Sequence, residues 1–103
     1  MNPASTTFFN KHLQNLEEKY EGLGAEIQSH KKENRITSHY QGDQKYYQLC
    51  IQRLEIYIDI KRTEAILEGK EFSFIRYHKP VALNKIRQLK DLEINAKSKA
   101  VVE

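Results

Sequence analysis

Four histidines and a single cysteine are the side chains of this 103-residue chain that could bind a metal ion or act as a nucleophile. No two histidines are three or four residues apart, the spacing that brings two ligands onto one face of a helix. Glu26 and His30 do have that spacing, but two ligands alone do not form a metal site. Cys50 lies among apolar residues, where the reactive thiolate is disfavoured. We therefore expect solvated histidines, a packed and inert thiol, and no metal or cofactor.

Glycine and carboxylate patterns also give no sign of an enzyme. The only close glycines, Gly22 and Gly24, lack the preceding strand that a phosphate-binding loop needs. Adjacent carboxylates such as Glu17 and Glu18 belong to the polar face of a predicted helix, whereas acid–base catalysis needs an apolar pocket that raises a carboxyl pKa. The sequence thus predicts a protein without catalytic residues.

A basic block between residues 76 and 90 is the strongest candidate for a binding function. The net charge of the chain is +3, and this block contains cations but no acid. Clustered Lys and Arg attract phosphates, and a helix that begins at Pro80 would add backbone N–H donors, with Tyr77 and His78 able to stack on a base. The same charges could instead bind an acidic protein or face solvent. The cations are Arg76, Lys79, Lys85, Arg87 and Lys90.

The first of the elements that must position these residues is a long helix. Apolar residues recur with alternating spacings of four and three, which predicts a helix from about residue 5 to about residue 33. An N-cap among residues 5–7 opens it, with the Asn-Pro pair at 2–3 as a competing start. Gly22 and Gly24 each weaken a helix by about 1 kcal/mol relative to alanine. The unbroken apolar spacing favours one continuous helix over two helices split at these glycines.

A second helix is predicted from about residue 43 to Glu68, with Gly69 just beyond its end. Its apolar side chains cover about 220° of the helical surface, whereas a surface helix needs little more than about 100°. This width predicts that the second helix is the central one. The alternation of Ile56, Ile58 and Ile60 also fits a strand over 55–60, which the longer helical pattern on both sides disfavours.

A third helix is predicted to begin at Pro80 and to end near residue 97, before a frayed tail at about 98–103. Lys79 is expected to be extended because a proline follows it. Phe72 and Phe74 precede this helix and are expected to plug one end of the core. Short connections favour antiparallel neighbours, so we expect a single all-α domain over residues 1–103, an antiparallel three-helix bundle.

The surplus apolar width of the second helix predicts a protein–protein interaction module, such as a small adaptor, inhibitor or regulatory subunit. A symmetric homodimer is the commonest oligomer of soluble proteins and would cover the surplus. The alternative is a nucleic-acid-binding accessory protein that uses the basic block. The predicted partner interface consists of Leu49, Ile56, Ile60 and Leu67.

The amino-acid composition and the first residues also give an expectation for where in the cell the protein is found. No apolar run approaches the roughly 20 residues needed to cross a bilayer, and the first residues lack the basic start and apolar core of a signal peptide. A single cysteine cannot form an internal disulfide, which fits a reducing compartment. We therefore expect a cytoplasmic protein without a membrane partner.

Overall fold

The computed structural model describes residues 2–102 of the chain, and the side chains of residues 2–98. Within that range every regular element is helical and no strand occurs, so the strand alternative at 55–60 is wrong. The all-α prediction with three long helices is confirmed. These are α1 (Pro3–Glu33), α2 (Gln44–Glu68) and α4 (Lys79–Val102), joined through a 3-10 turn (His39–Gln41), a short helix α3 (Glu71–Ser73) and a π-helical segment (Phe74–His78).

α1 is continuous through both of its glycines, as the apolar spacing predicts. It begins at the competing Asn-Pro start: the Asn2 side chain accepts a hydrogen bond from the Ser5 N–H at 2.8 Å, and Pro3 lies in the first turn. An N-cap followed by proline reduces the number of backbone donors that lack a partner. Only Leu16 and Ile27 of its 31 residues are buried, so α1 contacts the rest of the chain along a narrow strip.

α2 has the predicted bounds because both of its ends are capped. The Asp43 carboxylate accepts the Tyr46 N–H at 2.8 Å. At the other end Gly69 has a left-handed conformation with φ of 70°, which glycine adopts without steric strain. α1 and α4 both pack along α2 and hardly contact each other in the described part of the chain. α2 is therefore the central helix.

The connection between α1 and α2 is organised by Tyr47, which is 1% exposed. Its hydroxyl donates a hydrogen bond to the His39 carbonyl oxygen at 2.7 Å and accepts one from the Gly42 N–H at 3.0 Å. The neighbouring Tyr46 hydroxyl lies 2.9 Å from His39 Nδ1. Because these bonds run from the first turn of α2 back to the 3-10 turn, they fix the path of the connection.

A second contact joins the end of α1 to the start of α2. His30 Nε2 lies 2.8 and 2.9 Å from the two carboxylate oxygens of Asp43, and the Asn34 amide nitrogen lies 3.1 Å from His30 Nδ1. Nε2 therefore donates to the carboxylate while Nδ1 accepts from the amide. The expectation that this histidine is solvated is wrong, because its side chain is only 11% exposed.

α3, the π-helical segment and α4 form one helical stretch, so the prediction that a helix begins at Pro80 is wrong. Lys79 is helical rather than extended, and its N–H bonds to the Phe74 carbonyl oxygen five residues earlier. Proline has no N–H, and its ring clashes with the carbonyl four residues earlier in an α-helix. The wider π turn accommodates both constraints. α4 continues to Val102 and does not end near residue 97 as predicted, while the side chains of the predicted tail beyond residue 98 lie outside the described part.

The π turn also determines which phenylalanine is buried. Phe74 and Ala82 are eight residues apart, which in an α-helix would place them about 80° apart. One extra residue in a turn makes this spacing equivalent to seven, which is about two full turns. Phe74 thus lies in line with the buried Ala82, Ile86 and Leu89. It is 4% exposed, whereas Phe72 is 70% exposed, so only Phe74 acts as the predicted plug.

Candidate interaction groove

α2 is buried on two nearly opposite sides. Leu49 and Ile51 are both buried, and so are Ile58 and Ile60. Residues two positions apart on a helix point about 160° apart. Each pair therefore contributes one residue to each of two buried stripes, and each stripe needs its own neighbouring helix.

α1 and α4 supply those two neighbours. On the α1 side, Arg53 Nε donates a hydrogen bond to the Tyr20 carbonyl oxygen at 3.1 Å. On the α4 side, the Gln48 amide donates to the Glu93 carboxylate at 3.1 Å. Because α1 and α4 hardly touch each other, a groove stays open between them, with α2 as its floor.

The groove has two sections that share part of their floor. The tyrosine section has a volume of about 450 Å³ and the leucine section one of about 570 Å³, sizes that are typical of binding clefts. Both are lined by Cys50, Leu54, Lys85 and Leu89. The tyrosine section is completed by Tyr20, Ile27, Gln28, Lys31, Tyr46, Arg53 and Tyr57. The leucine section is completed by His39, Tyr40, Gln88, Asp91 and Leu92.

One cation from each long helix lines the tyrosine section: Lys31 from α1, Arg53 from α2 and Lys85 from α4. Among the described residues none of the three forms an ion pair, and no Asp or Glu lines this section. Among the described residues, Asp91 is the acid that lines the leucine section. Unpaired cations in a cleft with apolar walls attract an anionic group.

Arg53 is held in place by α1. Its guanidinium carbon lies 3.9 Å from the centre of the Tyr20 ring, a cation–π arrangement. Gly24 provides the space for it, since a Cβ there would lie 2.7 Å from Arg53 Nη2. Gly22 has no such neighbour within 4 Å. The two glycines therefore differ: one makes room for a groove cation and the other faces open space.

Two titratable side chains of the groove floor, the Cys50 thiol and the Tyr46 phenol, are uncharged near neutral pH. Burial raises the pKa of the Cys50 thiol, and hydrogen bonding with Tyr46 and the charges of Lys31 and Arg53 offset that effect only in part. Burial, together with the adjacent thiol, raises the pKa of Tyr46 to about 12. Cys50 is half-buried and free, so it fits the expected role of packing better than that of a nucleophile.

The four residues of the predicted partner interface lie in different environments. Leu49 and Ile60 are 6% and 7% exposed, so the chain itself covers them. Ile56 and Leu67 are half-buried. Ile56 lies in a depression of about 620 Å³ between α1 and α2, away from the groove, with Lys19, Gly22, Leu23, Glu26, Gln52, Glu55 and Asp59. The predicted partner interface is therefore not one continuous exposed surface.

The basic block is also divided. Lys85 lines the groove. Arg87, two residues later on the helix, points about 160° away from Lys85 and donates a hydrogen bond to the Asn84 side chain at 2.6 Å. Because the helix continues through Pro80, no helix N-terminus provides N–H donors there. The structure does not bring the block together as one anion-binding surface, and the nucleic-acid alternative stays a prediction. The cations of the basic block that lie outside both groove sections are Arg76, Lys79, Arg87 and Lys90.

Sequence reasoning missed Tyr20, Lys31 and Arg53 as groove residues. A signal for Arg53 was available, because on a helical wheel of α2 it falls inside the apolar sector, between Ile60 and Tyr46. A cation inside an apolar sector must either find a partner or lie at a site. Lys31 carried no comparable signal, and Tyr20 belongs to the regularly spaced apolar strip of α1, which predicts packing rather than contact with a cation.

The chain has no match among known protein families, curated proteins or solved structures. Within residues 2–102, no three His, Cys, Asp or Glu side chains are grouped so that they could share a metal ion. The described helices include none with the length and apolar character to cross a bilayer. Function must therefore be argued from the groove.

Proposed function

We propose that the chain is a non-catalytic protein–protein interaction module, a small adaptor, inhibitor or regulatory subunit, that binds a helix of another protein in the groove. The observation that carries this proposal is the open side of the central helix. Cys50 and Leu54 stay half-buried although they pack against the core. Laying the apolar face of a helix into an apolar groove is a recurring mode of peptide recognition.

The proposal includes an antiparallel arrangement of the three long helices. The partner helix would fill the groove between α1 and α4 as a fourth helix. Two contacts between α1 and α2 support opposite directions. The Tyr20 ring lies 6.2 Å from the Tyr57 ring, while His30 lies beside Asp43. The short connection before α4 supports the same relation for α2 and α4.

A different protein suits the groove better than a second copy of the chain. In a symmetric dimer the same surface meets itself. Lys31, Arg53 and Lys85 would then face their own copies, and like charges brought together across an interface are unfavourable. We expect sedimentation velocity at tens of micromolar to show a monomer. A dimer that dissociates with Ile56→Asp would instead support the interface predicted from the sequence.

The proposal also places the protein in the cytoplasm. Cys50 is a free thiol on the groove floor, and the chain contains no second cysteine with which it could pair. Free thiols persist in reducing compartments. Function through this groove is compatible with that environment because no disulfide is needed to hold the three helices together.

Leu54→Asp and Ile56→Asp are a matched pair that tests the proposed function. Both side chains are half-buried on α2, and only Leu54 lies on the groove floor. The tagged chain and both variants are expressed in the native cell, and the proteins that co-purify are quantified. We expect a partner that binds the unchanged chain and Ile56→Asp to bind Leu54→Asp about 30-fold less, as for an interface hot spot worth about 2 kcal/mol.

Circular dichroism and thermal unfolding verify that both variants remain folded. If Ile56→Asp alone loses the partner, the interface is the one predicted from the sequence, around Ile56, and not the groove. Equal binding by all three proteins would remove the groove as a functional site.

A further inference from the structure

We infer that the helix bound in the groove is acidic. Its apolar face meets the leucines of the groove, and Asp or Glu side chains beside that face meet the three groove cations. The inference rests on the proposed function and names the chemistry of the partner. The groove leucines are Leu54 on the α2 floor with Leu89 and Leu92 on the α4 wall, and the groove cations are Lys31, Arg53 and Lys85.

The first argument is the unbalanced charge of the tyrosine section. Two other cations of α2 are paired: Lys61 lies 3.6 Å from Glu64, and Arg62 lies 3.6 Å from Asp59. The groove cations have no such partner among the residues described, and Glu26, Glu55 and Asp59 line the depression around Ile56 instead. A carboxylate on the partner supplies the charge that the groove lacks.

The second argument is that Arg53 is fixed before any partner arrives. Its Nε donates to the Tyr20 carbonyl oxygen, its guanidinium carbon lies over the Tyr20 ring, and Gly24 leaves room for Nη2. A guanidinium recognises a carboxylate through two parallel hydrogen bonds. A donor that is already held in position loses less conformational freedom on binding.

The third argument concerns shape. Residues 46–57 of α2 run along the floor for about 16 Å, which is about three helical turns. The two groove sections meet at Cys50 and Leu54, so that an occupant finds apolar contacts at successive positions along one line. Apolar residues at i, i+3 or i+4, and i+7 of a helix match such a line.

Nucleic acid is the rival anion, and the groove leucines argue against it. Phosphates would suit the cations but would leave the exposed parts of the half-buried Leu54 and Leu92 without an apolar contact. Arg87, which a nucleic acid contacting the whole basic block would need, points away from the groove.

Synthetic peptides of about 18 residues, long enough to form helix, test the inference. All share one helical pattern of leucines and differ only in the flanking residues, which are Glu, Gln or Lys. Fluorescence anisotropy measures their binding to the full chain. We expect the Glu peptide to bind about tenfold more tightly than the Gln peptide and the Lys peptide not to bind. Salt of about 0.5 M should remove most of that difference because it screens exposed charges.

Two matched pairs of variants locate the effect. Lys85→Glu and Lys90→Glu make the same charge change on α4, but only Lys85 lines the groove. We expect Lys85→Glu to weaken the Glu peptide about tenfold and Lys90→Glu to change it less than about twofold. Gly24→Ala displaces the Arg53 guanidinium without changing charge and should weaken binding about threefold, whereas Gly22→Ala should not.

The inference fails if the Glu and Gln peptides bind equally, or if Lys90→Glu weakens binding as much as Lys85→Glu. If the Glu and Gln peptides bind equally and Leu54→Asp abolishes binding of both, the groove keeps its function and only the acidic partner is excluded. Duplex DNA that binds the chain and is lost with Lys85→Glu, while the Glu peptide does not bind, would replace the inference with nucleic-acid binding. If no peptide binds and Leu54→Asp keeps every cellular partner, the proposed function fails as well.

Discussion

At its N-terminal end α2 is joined to α1 and to the connection by a set of hydrogen bonds, whereas at its C-terminal end the segment 71–78 packs against it through one buried aromatic side chain. The N-terminal set includes both bonds of the Tyr47 hydroxyl and the contact between His30 and Asp43. In the segment 71–78, Phe74 alone is buried, and Phe72, Ile75 and Tyr77 are 59–70% exposed.

This difference between the two ends of α2 determines how firmly each wall of the groove, α1 and α4, is positioned. Hydrogen bonds are directional, so the N-terminal set determines both the distance and the orientation of α1. Apolar burial is non-directional, so Phe74 anchors the segment 71–78 without fixing its angle, and the described side-chain hydrogen bond between α2 and α4 is the exposed one of Gln48 with Glu93. We expect the α4 wall to be the one that adjusts when a partner binds.

Tyr47→Ala should have the largest effect. Removing a buried aromatic side chain costs about 3–5 kcal/mol of unfolding free energy, and here it also leaves the His39 carbonyl and the Gly42 N–H without their partner. Urea denaturation measures the loss. Tyr47→Phe, which keeps the ring, should cost only about 1–2 kcal/mol. A cost below about 1 kcal/mol for the alanine variant would show that the connection does not depend on this residue.

Phe74→Ala should cost up to about 3 kcal/mol and act more locally. Amide hydrogen exchange should accelerate over residues 71–78 and remain slow over 44–50, because the lost contact belongs to one end of α2 only. Phe72→Ala is the matched control and should change stability by less than about 0.5 kcal/mol, since this ring is exposed. Uniformly faster exchange in both regions would contradict the proposed difference between the ends.

Asp43→Ala should cost about 1 kcal/mol through loss of the N-cap. The carboxyl also introduces a pH dependence. Burial alone would raise the pKa of Asp43, but hydrogen bonds from the Tyr46 N–H and His30, with the charge of His30, hold it below its usual 3.8. The ionised carboxylate therefore stabilises the fold above the unfolded pKa, and this contribution disappears as pH falls through the folded pKa.

Unfolding of the unchanged chain and of Asp43→Asn, which keeps a capping side chain, measures that contribution. The stability advantage of the unchanged chain should be present near neutral pH and should shrink below about pH 4. An advantage that does not change with pH would mean that the charge of Asp43 contributes nothing.

Gly69→Ala should have a similarly small effect, about 1 kcal/mol, because alanine is strained at the left-handed C-cap. Gly69→Asn should cost less, since asparagine tolerates this conformation. Thermal unfolding of the three proteins gives the order. If Gly69→Ala and Gly69→Asn are equally stable, backbone strain at this end of α2 is not significant.

The elements that the sequence predicts well are those with local causes. Asp43 and Gly69 mark the ends of α2 because a cap depends on residues within one turn. The strand-like alternation of Ile56, Ile58 and Ile60 has a tertiary cause, since α2 is buried on two opposite sides. Such a pattern resembles a strand until the two neighbouring helices are known.

The groove and the π turn could not be predicted in the same way. Lys31, Arg53 and Lys85 come from three different helices, so no local spacing connects them. Pro80 is typical of a helix start, and only the burial of Phe74 on the same face as the core of α4 shows that the helix continues through it.

The π turn has a consequence for chain length. Between Phe74 and Ala82 the chain contains one residue more than two ordinary turns require. Deleting one residue within 75–79 and replacing Pro80 would therefore leave an uninterrupted α-helix with its buried side chains still aligned. The same deletion in the middle of α1 or α2 would rotate one half of the helix by about 100° and break its contacts. This stretch is thus the place in the long helices where the protein can lose a residue and keep its core.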